Sequence, residues 1–182
     1  MTSFISMIRG VNVSGQKRVK MEDIKEAYDG LGLKDVKTYI QSGNVVFNVE
    51  GLSKVSLANN IQEELKKVLD IDVIVIIRDI NEFQLIVDAL PFKMEDTSKC
   101  HVTFLLAEPR EDLNDAIKEL NRVKSGSEQF HVTSTEIYLF CPNGYGRTKL
   151  SNNFIEKTFN VAATTRNWNT VSKLVAFANQ IS

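Results

Sequence analysis

Arginine and lysine placed beside glycine with no carboxylate nearby are suited to holding an anion, and the chain carries this pattern twice. Residues 8–21, IRGVNVSGQKRVKM, contain Arg9, Lys17, Arg18 and Lys20, two glycines and no acid. Residues 142–154, PNGYGRTKLSNNF, contain Gly144, Gly146, Arg147 and Lys149, and the next acid is Glu156. Glycine lets successive backbone N–H groups line a turn, a following helix adds unpaired N–H groups, and an arginine fork matches a carboxylate or phosphate. The spacing Gly10 to Gly15 is that of a phosphate loop, but Lys followed by Ser/Thr must come directly after the second glycine to reach phosphates and magnesium. Gln16-Lys17 stands there instead, so triphosphatase chemistry is not expected.

Two further stretches have polar clusters at turns. ATTRNWNTV, residues 163–171, brings Arg166 and Asn169 beside the only tryptophan, Trp168. An asparagine there also suits a helix cap, with Trp168 on the core and Arg166 exposed. Trp168 could stack on a nucleic-acid base only if it were exposed. YIQSGNVVF, residues 39–47, sets Gly43 and Asn44 after Gln41-Ser42, which turn chemistry alone accounts for. The candidate ligand-binding residues are therefore Arg9, Asn12, Lys17, Gly43, Asn44, Gly146, Arg147, Lys149, Arg166 and Asn169.

Other chemistries find no purchase. There is no G-x-S-x-G elbow, H-E-x-x-H, dinucleotide fingerprint or C-x-x-C. His101 and His131 fall in strand-like runs, and Cys100 and Cys141 have neither metal nor disulfide-framework spacing, so both thiols are expected reduced and structural. Any catalysis would be electrostatic or would use Tyr39, Tyr145 or a lysine. No metal is expected and no cofactor is assigned. Three readings stand: a binder of a phosphate-bearing small molecule or nucleic acid, an enzyme of unrecognised type acting on a small phosphorylated or carboxylated substrate, and a protein-interaction module whose motifs only fix turns and caps.

The elements that must position these residues follow from hydrophobic period. Phe4–Ile8 is an apolar strand, Met21, Ile24, Ala27, Tyr28 and Leu31 recur at helical spacing, and Val36 to Val49 alternates about a turn as a hairpin. A helix follows over 55–69, then the strand DVIVIIRD, then a helix opened by Asp79 with Glu82 three residues on, as in a capping box, and stopped by Pro91. Residues 92–99 form a connector, and residues 100–182 repeat the order strand, helix, hairpin, helix, strand, helix. This β-α-β-β-α-β-α order, twice, predicts an α+β chain of two tandem ferredoxin-like halves, residues 1–91 and 100–182, with one continuous mixed sheet as the rival arrangement.

Composition permits such a core. The chain has 182 residues, 43% hydrophobic and 25% charged, with a formal net charge of -1. That total hides a partition: residues 1–49 hold seven basic and five acidic residues, 50–128 ten and sixteen, and 129–182 five and two. Bulk charge thus predicts no general attraction to nucleic acid, while a local anion site remains open. No run approaches the roughly 18 apolar residues of a membrane span and no secretory signal is seen, so a cytoplasmic protein without membrane partners is expected.

Taken together, RGVNVSGQKRVKM, YIQSGNVVF, GYGRTKLSNNFIEK and ATTRNWNTV resemble the signature stretches of a bacterial family of uncharacterised proteins, domain of unknown function 1697. The resemblance implies duplicated ferredoxin-like halves and motif membership for Arg9, Asn12, Gly43, Asn44, Arg147, Lys149, Arg166 and Asn169. It carries no activity. With the first and third strands of each half taken as parallel, the loops at Arg9 and Arg147 are expected at one end of their halves, and Gly43 and Arg166 at the other.

Overall fold

The structure is a computed structural model that describes residues 1–12, 18–94, 96–110 and 112–181. The first run of elements is β1 (Thr2–Ile8), α1 (Met21–Gly30), β2 (Lys34–Tyr39), β3 (Asn44–Val49), α2 (Lys54–Leu69), β4 (Val75–Asp79) and α3 (Ile80–Asp88). After a 3-10 turn at Thr97–Lys99 come β5 (Cys100–Leu105), α4 (Leu113–Val123), β6 (Gln129–Val132) and β7 (Glu136–Phe140). A second 3-10 turn, Tyr145–Arg147, leads to α5 (Asn152–Phe159), β8 (Ala163–Asn167) and α6 (Trp168–Asn179). The chain is therefore α+β. Among the described residues it has six α-helices and two four-stranded sheets, β2-β3-β1-β4 and β6-β7-β5-β8, antiparallel throughout.

Contacts divide the chain into two compact units, Met1–Leu85 with Lys173–Ser182, and Ile86–Ser172. In the first, alternation puts Phe4, Ile8, Val45, Phe47, Val75 and Ile77 on one sheet face, where they meet Ile24, Tyr28, Leu57, Ile61 and Leu65 of α1 and α2. Each such side chain contributes roughly 1.5–3 kcal/mol on burial. Ser6 lies among them and is satisfied by the Tyr28 hydroxyl at 3.0 Å; burial drives the Tyr28 phenol far above its ordinary value. The C-terminal segment belongs to this unit: the Phe177 ring lies 5.2 Å from that of Tyr39, and Asn48 donates to the Ile181 carbonyl. In the second unit Leu105, Ile137, Leu139 and Ala163 form the equivalent face against Leu120, Ile155 and Phe159.

The helices begin where short polar side chains accept their first N–H groups: Ser53 for α2, Asp112 for α4 and Ser151 for α5. At α3 the exchange is reciprocal. Glu82 N–H donates to Asp79 Oδ1 and Asp79 N–H to Glu82 Oε2, both at 2.9 Å, while Lys54 pairs with the same Glu82.

Strand direction corrects one expectation. β1 and β3 are antiparallel, as are β5 and β7. A helical crossover returns β2 parallel to β1, and the hairpin then reverses β3. The loop leaving β1 and the β2-β3 hairpin therefore share one end of the first sheet, and Ile8 N–H donates to Gly43 O at 2.8 Å. In the second sheet β7 and β8 both pair antiparallel with β5, so the Arg147 loop and the Arg166–Asn167 strand end also fall together. Gly43 and Arg166 are thus at the loop ends of their sheets, not opposite them. No helix among the described residues is long and apolar enough to cross a membrane.

Candidate functional site

At the loop end of the first sheet, Asn12 holds the geometry. It adopts a left-handed backbone, φ 55°, and its side chain reads Val19 from both sides: Oδ1 accepts Val19 N–H and Nδ2 donates to Val19 O, each at 2.8 Å. Nδ2 also reaches Gln41 O at 3.0 Å. One amide thereby ties together both flanks of the 13–18 segment and the hairpin. Lys17, a candidate contact, lies outside the described residues, as do Ser14, Gly15 and Gln16.

Gly43 is required by close approach. Its φ is +72°, and a Cβ there would sit 2.6 Å from Val11 Cγ1 and 3.0 Å from Ile8 Cβ. Asn44 is fully buried and donates to Tyr39 O and Ser42 Oγ, closing the turn. Arg9 is half-buried and its N–H donates to Ile74 O at 2.8 Å. These contacts leave a concavity of about 550 Å³ lined by Asn12, Arg18, Val19, Lys20, Glu22 and Gln41. Arg18, Lys20 and Gln41 are exposed there. They were not among the expected contact residues, although Arg18 and Lys20 belong to the same acid-free run and carried the signal that would have found them.

The loop end of the second sheet is a closed polar network. The Tyr145 ring stacks on His101 at 4.8 Å, and its hydroxyl donates to Thr165 Oγ1 at 3.1 Å. Thr165 also bonds Thr103 and donates to Asn152 Oδ1. Asn167 Oδ1 accepts Asn169 N–H, capping α6, so its Nδ2 faces Ser98 O at 2.8 Å and His101 Nε2 at 3.3 Å. Flipping the amide would lose the bonds to Asn169 and Ser98. His101 is therefore a neutral Nδ1–H tautomer, with Nδ1 turned to Lys99 O. Burial lowers the His101 pKa, and burial likewise raises that of Tyr145.

This network anchors the glycine loop, and Gly146, Arg147 and Lys149 remain exposed on it. Ser151 caps α5, whereas Thr148 accepts from Leu150 N–H. Asn169 is exposed in the first turn of α6, and Trp168 is only 7% exposed, which removes it as a stacking platform. Arg166, expected exposed if idle, is instead buried; its Nη1 donates to Thr164 Oγ1 at 2.6 Å and Thr165 O at 3.0 Å, and desolvation lowers its pKa to about 10. Arg78 repeats this in β4, buried and donating to Ile77 O. Cys100 and Cys141 are buried, and burial pushes the Cys141 thiol up to about 11. Among the described residues no group of three or more His, Cys, Asp or Glu could hold a metal ion.

An α+β chain with two antiparallel sheets, each carrying a glycine-containing basic loop at one end, is the class of protein these observations define. The chain belongs to the family described as Protein of unknown function (DUF1697), whose family model matches residues 1–138. That span includes the Arg9 and Gly43 stretches and stops before those of Arg147 and Arg166. Among solved structures the chain is similar to a conserved bacterial protein, SP0830, from Streptococcus pneumoniae. The identity is 22% and the TM-score 0.74, over 97% of this chain and 98% of that one. No curated protein matches it.

Proposed function

We propose that this chain binds an anionic, phosphate-bearing ligand at the concavity beside Asn12, with Arg18 and Lys20 as charged contacts. The observation that carries this reading is the Asn12 side chain, which bonds Val19 through both its oxygen and its nitrogen and so presents the adjoining cations on a fixed rim. Net charge is only -1, so attraction to an anion has to be local. Arg147, Lys149, Gly146 and Asn169 form a second basic locus on the other unit, which we assign the same type of ligand. Gly43, Asn44 and Arg166 position these loops from within the fold. The identical strand orders β2-β3-β1-β4 and β6-β7-β5-β8, with Arg78 and Arg166 at matching places, support two ferredoxin-like units arising by duplication. A cytoplasmic setting fits two free, buried thiols.

The test is calorimetric titration with ribose 5-phosphate at rising salt. Affinity should fall as salt rises from roughly 50 to 200 mM, because added ions screen the exposed cations. Replacing Arg18 and Lys20 together by alanine should weaken binding at least about tenfold, while melting stays close to that of the parent because both are exposed. Absence of salt-sensitive binding by the parent chain refutes the reading.

A further inference from the structure

The concavity beside Asn12 is lined by both signs of charge, and the charges do not meet. Lys20 has an extended backbone, φ -73° and ψ 142°, as the chain enters α1. Side chains alternate through this stretch: Val19 and Met21 are buried, while Arg18, Lys20 and Glu22 are exposed. All three outward side chains line the concavity. Two are cations and one is a carboxylate, yet among the described residues none of the three makes an ion pair. Elsewhere on the surface opposite charges are joined, Lys25 to Asp29 at 2.6 Å, Lys118 to Asp115 at 2.7 Å and Arg122 to Glu119 at 2.7 Å. Those partners stand three or four residues apart on a helix, where side chains meet. Lys20 and Glu22 are two apart and do not face each other. Opposite charges that share a concavity without pairing are complementary to a ligand that carries both.

Resting on the anion-binding reading above, we infer that the ligand is a zwitterion, a small phosphate monoester that also carries an ammonium group, with its phosphate on Arg18 and Lys20 and its ammonium on Glu22. Such a molecule matches the lining charge for charge: a monoester phosphate near neutral pH bears close to two negative charges, and the ammonium offsets the carboxylate. A phosphate ester without the amine would bring its dianion beside Glu22 with nothing to oppose that repulsion. A phosphodiester, such as a lipid headgroup, has one negative charge and would leave a cation unmatched. Gln41 contributes an amide, donor and acceptor together, from the hairpin side of the same concavity. Its backbone is held to the rim through the bond from Asn12 Nδ2 to Gln41 O at 3.0 Å.

The experiment titrates the full chain with phosphoethanolamine, the smallest probe bearing both charges, and with propyl phosphate, in which a methyl group replaces the ammonium. At about pH 8 both phosphates are dianions. The parent chain should bind phosphoethanolamine about threefold or more tightly, the scale of an exposed ion pair. Glu22→Gln should bind the two probes equally, with propyl phosphate held no more weakly than by the parent. Glu63→Gln removes the same charge from an exposed position on α2 and should keep the preference. Both variants should melt close to the parent because both carboxylates are exposed. Glycerophosphoethanolamine, a diester, should bind more weakly than phosphoethanolamine, and equal or tighter binding overturns the monoester assignment. Equal affinity of the parent for phosphoethanolamine and propyl phosphate, a preference that survives Glu22→Gln, or one that is lost in Glu63→Gln overturns the inference and leaves anion binding standing. Failure of every probe to bind overturns both.

Discussion

Single atoms decide whether the loop ends can form. At Gly43 a methyl group would face both an unfavourable left-handed backbone and a 2.6 Å contact with Val11. Together these should cost Gly43→Ala about 2–4 kcal/mol, read as a lowered urea midpoint. Gly146 has no atom within 4 Å of its would-be Cβ, so Gly146→Ala should leave that midpoint nearly unchanged. Equal losses at the two positions would refute the close approach. His101 supplies a second residue-level prediction. Desolvation lowers its folded pKa below the ordinary 6.5, so the unfolded chain binds the proton more readily. The stability it contributes is full above about pH 6.5, declines as pH falls toward the folded value and then levels off. Protonation would also set Nε2–H against the Asn167 amide donor. Thermal melting across that window should show a slope for the parent chain that His101→Gln reduces.

At the scale of elements, local exchanges of hydrogen bonds set where helices start. The Asp79–Glu82 box closes two backbone donors at once, and Asp79→Ala should destabilise the chain by about 1 kcal/mol. Denaturant unfolding of this variant checks it, and a change under a few tenths would show the box to be incidental. That box was readable from spacing alone, as were the elements themselves, because amphipathic period and caps are local properties. Strand direction was not. The apolar pattern of Val45–Val49 is the same whether the strand runs up or down the sheet, and only the hairpin reversal after a helical crossover makes β3 antiparallel to β1. The same limit applied to the site. Gly43 and Asn44 looked like ordinary turn residues because Val11 and Tyr39 meet them only in the fold, and Arg166 gave no sign that it would be buried. Arg18 and Lys20 were visible as charges, but their place on a concavity depends on Asn12 reaching across to Val19.

For the molecule as a whole, the order of residues along the chain differs from their grouping in space. Lys173–Ser182 follows the second sheet in sequence yet groups with Met1–Leu85. The core face of the second sheet, with Leu105, Ile137, Leu139 and Ala163, lies wholly within residues 105–163 and does not draw on this segment. The first unit does draw on it, through the Phe177 ring against Tyr39 and the Ile181 carbonyl against Asn48. Ending the chain at Ser172 should therefore damage the opposite end of the sequence first. Tyr39 and Phe177 are each half-buried, and an aromatic pair of this kind contributes about 0.5–1.5 kcal/mol beyond the area it buries. The β2 and β3 amides, which include those of Tyr39 and Asn48, should lose hydrogen-exchange protection well before the amides of β5 and β7. The hairpin carries Gln41, so the shortened chain should also bind phosphate compounds more weakly, although no residue of the concavity has been changed. Loss of protection concentrated in β5 and β7, with β2 and β3 intact, would show that the C-terminal segment serves the unit it follows in sequence and not the one it is grouped with here.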